Sequence, residues 1–357
     1  MSRNTPLLRR LRVAGIGLGL FAVSCSSATE VAEPPTTTET PRQVAPDETT
    51  STTSSAPTPT TTTTTTTVAP PAPPVIIDAL GSIRTLPGST APSGVADTSD
   101  ESDEATDDAV TNVSATNVTV TTLGCTISTD CAPEDLADWA AGEVDVVNLA
   151  TSAAAVDGVD VLDEHSAALG ANGVSSIGYG ETLNAALEPM IVRGSDRPVA
   201  IYSISLATDL DSEVIATNTT PGIAAGPVAF DFLVERVADS RAAGQSTVIM
   251  VDWGQIEDRA PSEEEVEQIQ PFIRVGADAI VGHGSDFLQR FEKIDETAIA
   301  FNLGNALTAN DEPLRRDSAV LRIQLEEAGD FTCLLPAEGS EFGIVLDDPA
   351  GAGCQTS

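Results

Sequence analysis

Few side chains in this sequence can do chemistry, and three stand together by type and spacing: Asp252, His283 and Asp286. Asp252 follows the β-branched run Thr247–Val251, and His283 and Asp286 follow Ala279–Val281. Two consecutive strands would therefore deliver them to adjacent strand ends. One imidazole and two carboxylates can hold a single hard or borderline divalent ion, and Cys125 can add a thiolate if it is not in a disulfide. The chain has only two His, His165 and His283, which excludes a His-rich dinuclear centre built to activate a bridging water. The structural alternative is that Asp252 caps a loop and His283 makes hydrogen bonds within the cleft. Trp253 at a strand end can stack on a sugar or pack in the core. Ser285 lies in Gly282-His283-Gly284-Ser285-Asp286, which is not a Gly-x-Ser-x-Gly elbow, so a serine hydrolase is excluded. His165, on a helix after Asp163-Glu164, is expected to be exposed or partly packed.

The elements that must position these residues alternate from Asn117 onward. Strands are expected at 118–123, 144–149, 174–177, 199–204, 247–251, 279–281 and 298–301, with helices at 161–171 and 182–187. A short helix is expected from Pro133, with acids in its first turn. Phe230, Leu233, Val234 and Val237 mark one helix face, and Ser262 can N-cap a helix that Pro271 should kink. The end of the chain reads as three strands, 319–325, 331–335 and 342–346. The pattern is an α/β core with a trailing β-meander.

The 357-residue chain has a formal net charge of −37, and such a surface repels phosphate backbones, so nucleic acid is a poor partner. Residues 1–24 read as a signal peptide: Arg9, Arg10 and Arg12 precede the apolar run Val13 to Val23, too short to span a bilayer. Ala22-Val23-Ser24-Cys25 resembles a lipobox, with Cys25 the residue to be acylated and the product a membrane-anchored protein on the extracytoplasmic face. Residues 25–116 are expected to be a linker, Thr/Pro-rich at first and acidic at 97–108, with Val75-Ile76-Ile77 either a short strand or an apolar spot within it. The folded domain is placed at 117–348 and a tail at 349–357. Four further Cys in an exported chain favour disulfides, and Cys125–Cys131 with Cys333–Cys354 closes the short loops.

With these motifs in order, the region from Val118 to Leu346 resembles the CapA family of capsule and poly-γ-glutamate biosynthesis. The resemblance implies a calcineurin-like, metallophosphatase-type α/β/β/α sandwich. The family's Leu-Ala-Asn-Asn-His, followed by Asp-x-Gly, is matched without gaps by Leu149-Ala150-Thr151-Ser152-Ala153, with Val156 and Gly158. Its Gly-Asp is matched by Gly124-Cys125, its His-Trp-Gly by Asp252-Trp253-Gly254, its Gly-His-x-x-His by Gly282-His283 through Asp286, and its Ser-Leu-Gly-Asn by Asn302-Leu303-Gly304-Asn305. The turn-forming residues are kept and most metal-ligating ones are replaced. The resemblance thus marks Cys125, Ser152, Asp252, Trp253, His283, Asp286 and Asn305 as the residues of a degenerate cleft.

Two functions follow as expectations. One is a non-catalytic module without cofactor, using the inherited cleft to hold an envelope glycan, another polymer or a protein partner. A polyanion would need a basic patch, for which Arg193, Arg197, Arg274 and Arg290 are the candidates. The other is a residual hydrolase or transferase with one divalent metal ion on Asp252, His283 and Asp286. A two-lobed solute-binding protein fits the single-core pattern less well.

Overall fold

The computed structural model describes residues 74–84, 117–125, 131–133, 135–136, 144–193, 197–254, 257–308, 312–325, 330–340 and 343–347. The expected signal peptide, Cys25, most of the linker, Cys354 and the tail lie outside these residues. Strands are β1 (Val75–Ile83), β2 (Asn117–Leu123), β3 (Val146–Asn148), β4 (Ser175–Ile177), β5 (Tyr179–Gly180), β6 (Met190–Val192), β7 (Val199–Ser205) and β8 (Gly222–Ile223). They continue with β9 (Ser246–Asp252), β10 (Ala279–His283), β11 (Phe291–Ile294), β12 (Thr297–Ala300), β13 (Asn305–Leu307), β14 (Asp317–Leu325), β15 (Phe331–Ser340) and β16 (Gly343–Leu346).

Two sheets carry the fold. One runs β13-β15-β14-β1-β2-β3-β4, with β16 on β15; the other runs β11-β12-β10-β9-β7-β6. Alternation along a strand sends successive side chains to opposite faces. On β9, Val248 and Met250 meet Ile77, Val120 and Leu321 between the sheets, while Ile249 and Val251 pack on the outer side with Leu233 and Phe272. Leu162 and Leu169 of the helix Val159–Ala171 cover the first sheet in the same way, with Leu123 and Leu149. The layers are therefore helix, sheet, sheet, helix, the sandwich the resemblance implied.

The largest correction concerns where the domain begins. β1 lies inside the segment read as linker, yet it is a central strand. It pairs parallel with β2 (Ile77 to Val118, Ala79 to Val120) and antiparallel with β14 (Ile77 to Ile323). Val75, Ile77, Ala79 and Ile83 are fully buried. The residues between β1 and β2 separate this strand in sequence from the alternating pattern it completes in space.

Other expectations hold with small changes of boundary. Ser262 accepts from the Glu265 amide while Glu265 Oε2 accepts from the Ser262 amide, a reciprocal cap. Pro271 divides the helix into Glu263–Gln268 and Gln270–Val275 rather than bending one helix. The trailing meander is present as antiparallel β14, β15 and β16. His165 is a correction: it is wholly buried, with Nδ1 2.9 Å from Val161 O and Nε2 3.0 Å from Cys131 O. Among the described residues, no helix is long and apolar enough to cross a membrane.

Candidate functional site

The parallel strands of both sheets end on one side of the molecule, the usual place for a site in such folds. Ser82 is the last residue but one of β1, Gly124 follows β2, Ser205 closes β7, Asp252 closes β9, His283 closes β10 and Asn305 opens β13. The pairing of His283 with Asp252, and of Ser205 with Asp252, fixes their register. Gly284 has φ 111°, and a Cβ there would lie 2.9 Å from Asp252 Oδ1, so only glycine lets the chain turn this close to the carboxylate.

At the centre stands Arg84, which the sequence reading passed over. Its Nε donates to Asn305 Oδ1 at 3.1 Å and lies 3.0 Å from Asp286 Oδ1. Its Nη1 donates to Gly124 O and its Nη2 to Gly284 O, each at 2.7 Å. The side chain is only 13% exposed. Burial lowers its pKa, and the charges of Asp286 and then Asp252 oppose that shift. A guanidinium whose ordinary pKa exceeds 12 stays charged throughout.

Of the three proposed metal ligands, Asp252 and His283 lie opposite each other on paired strands, both carboxylates are turned to protein donors, and the imidazole has no partner. Asp252, buried, accepts from Ser152 N at 2.8 Å and Ser205 Oγ at 2.9 Å through Oδ2, and from the Gly254 amide. Burial pushes its pKa up, and those hydrogen bonds and Arg84 offset part of the shift. Asp286 is bracketed by Arg84 and Arg315. His283 is wholly buried, and neither ring nitrogen has a hydrogen-bond partner. Burial first, then the charge of Arg84, pushes its pKa down to about 3, so the imidazole is neutral.

The other candidates sort cleanly. Cys125 is joined to Cys131 in the expected disulfide and is therefore no ligand. Cys333 is also disulfide-bonded, and its expected partner Cys354 falls outside the described residues. Trp253 is a core residue rather than a sugar platform: it is 4% exposed and its Nε1–H donates to Phe301 O at 2.7 Å. Ser152 serves the site through its backbone amide, and Asn305 through its amide oxygen on Arg84. None of Arg193, Arg197, Arg274 and Arg290 lines the cleft. Arg197 instead pairs with Asp330, and Arg290 with Glu292.

The cleft has a volume of about 900 Å³, with Ser82, Arg84, Ser152 and Asp252 among its lining. Asp160, Asp209, Asp211 and Glu213 form an exposed acidic rim, and Val156, 67% exposed, adds an apolar face. The donor set fits a metal poorly. No three His, Cys, Asp or Glu converge on one point among the described residues, and both carboxylates already hold protein donors. A sequence signal for Arg84 did exist: Gly81-Ser82-Ile83-Arg84 directly follows an apolar run.

Comparison with known proteins agrees with this architecture. The model of the bacterial capsule synthesis protein PGA_cap matches residues 83–310, more than half of the chain. The chain is 27% identical over 114 residues to the PGA biosynthesis protein CapA of Bacillus subtilis (strain 168), covering 32% of this chain and 30% of that protein. It is 26% identical over 136 residues to the capsule biosynthesis protein CapA of Bacillus anthracis, covering 37% and 32%. These alignments thus span about a third of each relative's length. By the matched region and by the sandwich that carries it, the chain belongs to the bacterial capsule synthesis family, PGA_cap.

Proposed function

We propose that this chain is an exported, lipid-anchored capsule-family module that binds an uncharged envelope polymer, or a protein partner, in its strand-end cleft without turning it over. One observation carries the reading: the two carboxylates at the strand ends, Asp252 and Asp286, are both engaged by protein donors. These donors compete with water, substrate or a metal ion for the carboxylate lone pairs that a base or metal ligand must offer. The exposed acids Asp160, Asp209, Asp211 and Glu213 repel a polyglutamate chain and leave a hydroxyl-rich neutral glycan as the better occupant. Val156 offers the apolar contact that a sugar face needs. The lipobox-like Cys25 and the Thr/Pro-rich tract after it support a tethered position outside the cell.

The test uses the purified full chain. It should bind neutral envelope glycan in a pull-down that Val156→Glu weakens, retain no polyglutamate at physiological salt, and hydrolyse neither polyglutamate nor phosphoesters. Hydrolysis that Asp252→Asn abolishes would sink the proposal. The second reading, a residual single-metal hydrolase or transferase, is favoured by one feature, the two unpartnered nitrogens of His283. Stoichiometric metal lost in His283→Ala would establish it.

A further inference from the structure

We infer that Arg84 is the built-in cation of this site, a guanidinium seated in an oxygen cage that would otherwise suit a hard metal ion. Its partners are all oxygens: Asn305 Oδ1, Asp286 Oδ1, Gly124 O and Gly284 O, from three separate segments of chain. A carboxylate, an amide oxygen and two backbone carbonyls form the kind of oxygen cage that hard cations select. The planar fork of arginine fills it with directed N–H bonds, and lysine could not reproduce that geometry. Asp252 and His283 both lie within the field of the same charge. Ser82, two residues before Arg84 and 1% exposed, lines the same cleft and carries a hydroxyl with no partner. The inference stands whatever the cleft binds, because it concerns the share of the Asp286 charge that Arg84 balances beside Arg315.

Removing the guanidinium should leave an oxygen-lined hole that an added cation can refill. The full chain is compared as wild type and Arg84→Ala, in thermal melts with Mn²⁺, with guanidinium at ~10 mM, far below denaturing levels, and with neither. Bound manganese is measured after dialysis. The variant should melt about 10 °C lower, the scale expected when a buried ion pair loses one partner. Either cation should restore part of that loss in the variant and none in the wild type, and the variant alone should retain manganese. Should Arg84→Ala not purify, Arg84→Lys reads the same question, with a lowered melting temperature expected from the lost fork. The inference is overturned by stoichiometric manganese in the wild type, by an Arg84→Ala chain as stable as wild type and indifferent to both cations, or by Arg84→Lys matching wild type. Turnover is scored separately, so loss of this inference and loss of the binding function are told apart.

Discussion

A neutral imidazole buried without partners makes stability depend on pH in a defined direction. His283 has its pKa pushed from the ordinary 6.5 down to about 3. Between these values the unfolded chain takes up a proton that the folded chain refuses, so stability is fully present above pH 6.5 and falls as pH drops. Each unit is worth ~1.4 kcal/mol, so the whole span amounts to about 5 kcal/mol and the step from pH 7 to pH 5 to about 2 kcal/mol. Asp145, Asp252 and Asp278 act in the opposite sense, because burial raises their pKa values and the native state binds those protons first on acidification. Comparing wild type with His283→Leu cancels their share. Urea unfolding at several pH values from 7 to 5, with the disulfides kept, should show a wild-type decline that the variant lacks. A His283→Leu chain that loses stability over this range as steeply as wild type refutes the reasoning.

Three more outcomes are expected. A truncation beginning at residue 117 removes β1 from the middle of a sheet and should give an insoluble or molten product by near-ultraviolet circular dichroism, whereas one beginning at residue 68 should melt cooperatively. Gly282→Ala would put a Cβ 1.9 Å from Phe301 O and 2.4 Å from Trp253 Nε1, and should cost at least about 3 kcal/mol in a denaturant melt or prevent folding. Replacing Cys125 and Cys131 with Ser opens a loop of sequence separation 6 and should cost ~2 kcal/mol by the same assay.

Much of the scaffold was legible because local patterning and tertiary need agree in it. Thr247–Val251, the Ser262 cap and the i, i+3, i+4, i+7 face beginning at Phe230 all say in sequence what they do in space. β1 was not legible for the opposite reason. Its nine residues sit between low-complexity and acidic stretches, and what makes them a strand is pairing with β2 and β14, the latter more than two hundred residues away. Missing β1 hid the centre of the site, since Ser82 and Arg84 lie at its end. Strand ends did place Asp252 beside His283, which pair across β9 and β10, but among the described residues no three such groups converge. The function of these residues was less legible, because spacing does not reveal which way a carboxylate turns. Asp286 toward Arg84 and Arg315, and Asp252 toward Ser152 and Ser205, are facts of packing alone. His165 was misread similarly, since its ring finds a backbone carbonyl inside the core, and for Trp253 the structure selects the core alternative, with its indole N–H on Phe301 O.

The most direct test of the central claim is a crystal structure of the full chain grown with millimolar manganese, with anomalous data collected at the manganese edge. The account predicts no anomalous peak among Asp252, His283 and Asp286, and density for the Arg84 guanidinium between Asn305, Asp286, Gly124 and Gly284. A strong peak at that point, with Arg84 displaced toward the cleft, would contradict it and restore a metal-dependent site.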